Sequence, residues 1–377
     1  MTYLDNAAAT SVCLRAGEAL RAGIDDMQAN PSSVHVLGRL ARESIDGARA
    51  SVARALGCNT QSVCFVSSAT EANNLALLGA ADAYGRKKKR IVTTTVEHPS
   101  VLKTLDYLEQ RRGFEVVKIA PNRTGEIDPH EVISAVNEDT CLVTMMYVNN
   151  ENGYILPVRR VFVAVKKQFP HVITHCDAVA AFLKLPFKIR ELSADLLSVS
   201  SGKVHGPRGV AALFVRSGVK LTPQIYGGEQ EFGLRSGTEP TALILSFAAA
   251  VDFLTPTIDK RFDEAAALKK YFRDRVAGNR DITINESGEC SPYIINFSIK
   301  GIPSQPLVNF LEGYKIYISS GSACSRGNSK NTAISQLSPK TASWAVRVST
   351  SHLNTMHDMR TLVDAIGEAQ QALLRCK

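Results

Sequence analysis

Between residues 60 and 215, short β-branched runs alternate with helical stretches, and few architectures accommodate that alternation. The runs cover 62–66, 90–96, 142–148, 172–177, 196–200 and 210–215. Strands separated by helices predict an α/β fold, with a mostly parallel sheet flanked by helices. Several runs end in polar, reactive residues: Val96 leads into Glu97 and His98, Val148 into Asn149 and Asn150, Ile173 into His175 and Asp177, and Val199 into Ser200 and Lys203. In open α/β sheets the ligand crevice lies at the carboxyl ends of the strands. Four strand ends are therefore expected to face one crevice.

After about residue 255 the pattern changes. A charged helix over 259–276 precedes a strand at 293–300, a short helix, a strand at 316–319 and a final amphipathic helix over 359–374. This reads as a smaller α+β domain. The expected division is a large domain over 15–255 and a small domain made of 1–14 and 256–377.

No run of 18 or more apolar residues occurs, and the first residues lack a charged-then-apolar leader, so no membrane association and a cytoplasmic location are expected. The eight cysteines show no paired short spacings, which argues against a disulfide framework or a zinc site. Most are expected to be buried, inert thiols. The net charge is +8, and the dense basic run at 86–90 has no interleaved aromatics. Such a run reads as a solvated helix end, not as a direct nucleic-acid contact, and leaves an acidic protein partner open.

The most specific cluster runs from Asp195 to Gly209, a strand entering a glycine-rich turn that carries Lys203. A desolvated lysine favours the neutral amine that a Schiff base needs. By itself Lys203 also fits a surface turn. A pyridoxal phosphate site further requires an acid for the pyridine nitrogen and a phosphate cradle. Asp177 ends an apolar strand, where a buried cation is its natural partner, although a salt bridge would serve as well. Residues 65–74 read as strand, small-residue turn and helix, with Ser67, Ser68 and Thr70 supplying hydroxyls where a helix start binds phosphate. An ordinary capped helix has the same pattern.

Taken together, the chain resembles the NifS/IscS-type cysteine desulfurases, pyridoxal phosphate enzymes of fold type I in the class V aminotransferase family. The resemblance rests on Tyr3-Leu4-Asp5-Asn6-Ala7-Ala8, on residues 30–39 from Asn30 to Arg39, and on Ala69-Thr70-Glu71, Glu97-His98 and Val148-Asn149-Asn150-Glu151. It continues through Arg235-Ser236-Gly237-Thr238 and Ser319-Ser320-Gly321-Ser322-Ala323-Cys324. It implies that Lys203 is the Schiff-base lysine, Asp177 the pyridinium partner, and His98 the residue that stacks on the cofactor and assists proton transfer. Ala69, Thr70 and Ser200 would hold the phosphate, with Thr238 reaching it from the partner subunit of a homodimer. Asn150, which also touches the cofactor, and Arg347 match the positions that hold the substrate carboxylate, a task suited to the guanidinium fork.

Cys324 lies in a run of small, polar and basic residues that reads as an exposed, flexible loop over about 321–340. Arg326 and Lys330 would favour its thiolate, the nucleophilic form. The resemblance makes Cys324 the sulfur carrier: it takes sulfur from L-cysteine, leaves alanine, and passes the persulfide to an acceptor protein such as an iron–sulfur scaffold or a tRNA-thiolation enzyme. The chain departs from the family at several points. Gly202 replaces a phosphate-binding histidine, and Ala180 replaces a glutamine that bonds the ring hydroxyl. Ser68 replaces a glycine, and Ser351 and His352 stand where glycine and arginine are common. Two alternatives follow: a selenocysteine lyase or related lyase on the same pocket, and a scaffold or regulatory protein on a desulfurase fold.

Overall fold

The computed structural model describes residues 1–320, 333–337 and 341–374. After β1 (Thr2–Tyr3), the alternation read from the sequence becomes β2 (Val63–Val66), β3 (Arg90–Thr94), β4 (Glu115–Ile119), β5 (Thr140–Met146), β6 (Ile173–Asp177), β7 (Leu196–Ser200) and β8 (Ala211–Val215). Among the described residues, β2 to β8 form one sheet in the order β2-β8-β7-β6-β5-β3-β4. Strands β3 to β7 run parallel, and β8 is antiparallel to both of its neighbours. The expected α/β fold is the one observed. Strand β4 was not anticipated: it lies at the sheet edge, half exposed, and its Glu115 and Lys118 interrupt the apolar run.

Side chains alternate across a pleated strand, and here the alternation feeds two cores. Ile91, Leu142, Leu196 and Leu213 join Leu75, Leu77 and Leu105 on one face. Their neighbours Val92, Val143, Leu197 and Phe214 join Val52, Phe162 and Phe247 on the other. Both faces of the sheet are thus covered by helices, which explains why its strands read as near-continuous apolar runs.

The C-terminal region builds a second sheet from β9 (Ile282–Ile284), β10 (Ile294–Ile299), and, after β11 (Ile316–Tyr317), β12 (Ala345–Ser349). Its order is β12-β10-β9, antiparallel throughout. Strand β1 pairs in parallel with β11, which ties the N-terminus to this region. We propose the chain divides as the sequence suggests, into 15–255 and into 1–14 with 256–377. Strand β12 was not anticipated as a strand, because Arg347 interrupts its short apolar run.

One buried ion pair organises the segment between β8 and the helix Thr241–Leu254. Arg49 and Glu231, each about 5% exposed, meet in a two-pronged contact of 2.5 and 2.8 Å. Glu231 also accepts from the Phe65 amide at 2.7 Å, and Arg49 donates to the Val63 carbonyl at 2.8 Å. Glu229, Glu231 and Phe232 hold left-handed φ values of 60°, 50° and 61°, a strained path that persists only where the surroundings enforce it. Removing one partner leaves a buried, uncompensated charge. Glu231→Ala is therefore expected to lower stability by about 3–5 kcal/mol in urea unfolding.

Candidate active site

The carboxyl ends of β3, β5, β6 and β7 open on one cavity of about 280 Å³. This approaches the roughly 300–1,000 Å³ typical of small-molecule sites. His98, Asn150, Asp177, Ser200, Lys203 and Arg347 all line it, as do Ala69 and Thr70 at the start of the helix Ala69–Tyr84. Eight of the residues singled out from the sequence are therefore brought together. Thr238 is not among them: it is exposed, in a surface hollow shared with Asn30 and Pro31. Cys324, Arg326 and Lys330 lie outside the described residues.

Asp177, at the end of β6, is 6% exposed. One carboxylate oxygen accepts from Asn73 Nδ2 at 2.8 Å and the other from the Val179 amide at 3.1 Å. Asn73 also donates to Ser100 Oγ at 2.9 Å, and that hydroxyl lies 2.8 Å from His98 Nδ1. A continuous chain of hydrogen bonds thus runs from His98 through Ser100 and Asn73 to Asp177. Burial holds the His98 imidazole below its usual value; Asp177 pulls it back up and Lys203 pushes it down.

Asn73 was missed as a site residue in the sequence. The available signal was an amide in register with the apolar face Ala72, Ala76, Leu77 and Ala80 of its helix. Asn73 Oδ1 is buried without a partner among the described residues and faces a ligand cavity.

Lys203 donates to the carbonyls of Ala7 and Ala8 at 2.7 and 2.5 Å, so the N-terminal segment forms part of the site. Arg347, 1% exposed, donates to Asp5 Oδ1 at 2.8 Å and to the Asn150 carbonyl at 2.9 Å, while its Nε is buried without a partner among the described residues. Asp5 was quoted only as part of a motif, and its role in orienting the guanidinium depends on the parallel bridge that joins Asp5, after β1, to Ser349 at the end of β12. Ser68 caps the helix Ala69–Tyr84 by accepting from the Glu71 amide at 3.1 Å. Helix geometry leaves the Ala69 and Thr70 amides without intrahelical acceptors at the cavity.

These groups fit pyridoxal phosphate. A buried carboxylate suits the pyridine nitrogen, a primary amine suits the aldehyde, and a capped helix start with Ser200 suits the phosphate. The departures are also visible. Gly202 contributes no side chain, and Ala180 presents only a methyl group to the cavity. His205 does not replace the missing ligand: its Nδ1 lies 2.9 Å from the Ser11 carbonyl, and burial pushes its pKa down to about 3.

His175 is structural. It is fully buried, bridges Thr144 Oγ1 and Ser198 Oγ at 2.8 and 3.1 Å, and has its pKa pushed down to about 4 by burial. The basic run is spent on local contacts, with Lys89 donating to the Arg112 carbonyl and Arg90 paired with Glu115 at 2.7 Å. Burial raises the thiols of Cys58 and Cys141 to about 11 and about 12, and that of Cys176 well above its usual value. These cysteines are poor nucleophiles, as expected.

A mostly parallel sheet with this constellation at its carboxyl edge defines a fold-type I enzyme site. The aminotransferase class-V family profile matches residues 2–362. A cysteine desulfurase IscS of Dictyoglomus turgidum is 36% identical over 86% of this chain and 82% of its own length. A NifS/IcsS protein homolog of Lactobacillus delbrueckii is 35% identical over 98% of this chain and 97% of its own. A solved NifS-like protein superposes with a TM-score of 0.92 at 32% identity, covering 98% of this chain and 99% of that one. The chain belongs to the class-V aminotransferase family, within its NifS/IscS-type cysteine desulfurases.

Glu97, next to His98, has a separate consequence. It is fully buried, accepts from Thr94 Oγ1 at 2.7 Å, and has its pKa raised to about 8, mainly by burial. Between its unfolded value near 4.5 and about 8 the folded protein holds a proton that the unfolded chain releases, so this group lowers stability as pH rises through that window. Glu97→Gln removes the effect. Its stability relative to the native protein is expected to increase from pH 5 to pH 8 in parallel urea titrations.

Proposed function

We propose that this chain is a cysteine desulfurase, which converts L-cysteine to L-alanine and carries the sulfur as a persulfide on Cys324 to an acceptor protein. The observation that carries the reading is the convergence of Lys203, Asp177, His98 and Arg347 on one cavity, with the chain anchored at its rim on both sides of residues 321–332. On one side Ser319 exchanges backbone hydrogen bonds with Arg347, at 3.1 and 2.7 Å. On the other, the Ile334 amide donates to Glu151 at 2.7 Å and Gln336 Nε2 to the Thr95 carbonyl at 3.2 Å. Glu151 adjoins Asn150, and Thr95 directly follows β3.

Pyridoxal phosphate, when bound, supplies an electron sink conjugated to the substrate's α-carbon. The chain's residues do the rest. Lys203 is the amine that holds the cofactor and moves protons at the substrate. Asp177, kept in place by Asn73 and the Val179 amide, keeps the pyridine nitrogen protonated. Ala69, Thr70 and Ser200 hold the phosphate. Arg347, oriented by Asp5, holds the substrate carboxylate with Asn150. His98, whose imidazole burial holds below its usual value, would sit against the cofactor ring and accept or return protons. The Cys324 thiolate attacks the substrate sulfur: an S–S bond forms, the C–S bond breaks with its electron pair left on carbon, and protonation there gives alanine.

A homodimer is part of the proposal. Thr238 is exposed and remote from its own chain's cavity, beside Asn30 and Pro31, and the exposed apolar residues Val34, Val36, Leu37 and Leu40 follow at once. Such a patch suits a subunit interface. L-cysteine as substrate is also supported by a structural relative described as SspA in complex with cysteine, 29% identical with a TM-score of 0.82 over 94% of this chain and all of that one. The acceptor is proposed as an iron–sulfur scaffold or a tRNA-thiolation enzyme in the cytoplasm.

The test is the visible spectrum of protein purified with pyridoxal phosphate, followed by alanine and sulfide release from L-cysteine with a thiol reductant. The native protein is expected to be coloured and active. Lys203→Ala should lose the visible band, and Cys324→Ser should keep it while turnover falls to background. Full activity in Cys324→Ser would replace persulfide transfer by direct lyase chemistry, and a colourless, inactive native protein would favour a scaffold.

A further inference from the structure

The cavity contains a second lysine that the proposed reaction does not use. Lys184 is 8% exposed and lines the same cavity as Lys203. Both also line a smaller hollow of about 10 Å³ behind it, with His205, Arg261, Tyr293 and His352. That is room for about one water molecule. Lys184 follows Ala180 through a pair of turns in which the Lys184 and Leu185 amides both donate to the Ala181 carbonyl, and both residues line the cavity. Leu183, immediately before it, is buried with a left-handed φ of 54°. Strain of this kind persists where the surroundings enforce it, and here it directs the lysine to the cavity wall.

The Lys184 side chain makes no hydrogen bond or ion pair among the described residues. The charged groups that act on it are Lys203 from the turn after β7, Arg347 from β12 and Arg261 from the helix Ile258–Val276; all three are cationic. His205 and His352, from the turn after Lys203 and the segment after β12, are both held towards the neutral form. The Tyr293 hydroxyl and His352 Nδ1 are buried without partners among the described residues. Asp177, on the opposite part of the larger cavity, is engaged by Asn73 and the Val179 amide. A buried ammonium without an acceptor is costly, and burial with these neighbours brings Lys184 down to about 7. Lys203, in contrast, has two carbonyl acceptors.

We propose that Lys184 acts through Lys203 as a second cation in the same cavity: the two amines titrate as a pair, and the charge on Lys184 makes Lys203 shed its proton more readily, freeing the lone pair that attacks an aldehyde. The N–H bond that breaks is on Lys203 and its proton leaves to solvent water, so the reactive amine becomes neutral while Lys184 supplies the neighbouring positive charge. Lys184 is a positioning residue in this scheme, acting through Lys203. Two amines this close share macroscopic titration steps. The use of the pair rests on the cofactor reading above; the coupling does not.

The coupling is tested in the full-length protein without cofactor, carrying lysine labelled with carbon-13 at Cε, each signal assigned by substitution. The Lys184 step is expected near neutrality in the native protein and about one pH unit higher in Lys203→Met, and the Lys203 step lower by a similar amount in Lys184→Arg. A Lys184 step that does not move in Lys203→Met overturns the proposal. The rate of colour formation on adding pyridoxal phosphate supplies a second reading. Lys184→Met should move its pH midpoint to the alkaline side, while Lys184→Arg, which restores a charge, should keep it near neutral. A profile unmoved in Lys184→Met also overturns the proposal. If the native protein forms no coloured adduct, the cofactor reading fails, and the lysine titration still decides the coupling.

Discussion

A carboxylate buried at the end of a parallel strand needs its charge answered, and the site is arranged around that requirement at Asp177. Two donors hold its oxygens, the Asn73 amide from the neighbouring helix and the Val179 amide from its own turn. Neither removes the charge. A cation must answer it, and the pyridinium of the proposed cofactor would do so. Asn73 also passes the constraint to Ser100 and His98, so the base at the end of β3 is oriented by the acid at the end of β6.

The opposite wall of the cavity has the reverse electrostatic problem. Lys203, Lys184, Arg347 and Arg261 crowd one region, where Asp5 serves Arg347 and Glu264 acts on Arg261. A protein interior accommodates such crowding by pairing or by neutralisation. Arg347 is paired. Lys203 is given carbonyls. His205 and His352 stay towards neutral, and Lys184 is the group with least to hold its proton. The same imbalance that makes the wall costly makes it suited to an anionic cofactor and a carboxylate substrate.

Legibility in the sequence followed burial. The strands of the large sheet are covered on both faces, so they appear as apolar runs, and their boundaries match the expected ones to within a few residues. Edge strand β4 and the three-residue β9 lack that coverage or length, and Arg347 breaks the apolar run of β12, so none of the three was visible. Among site residues, those following a strand directly were legible, because a polar residue after an apolar run stands out: His98, Asn150, Asp177 and Lys203. Asn73, Asp5 and Lys184 were not, since each acts through a partner distant in sequence. Ala180 was noticed as a lost glutamine, but Lys184, which lines the same cavity, was not.

The order of strands and helices, the residues at the strand ends and the family to which they belong were determined by the sequence alone, because local periodicity and residue chemistry encode them. The tertiary structure alone decided which of those residues share a cavity. The bridge between Asp5 and Ser349 of β12 seats Asp5 on Arg347, the carbonyls of Ala7 and Ala8 receive Lys203, and the turn through Leu183 brings Lys184 to the same cavity. Each of these contacts joins segments far apart in the chain or depends on a strained backbone, and charge interactions in a buried cavity depend on distances that no spacing along the chain records.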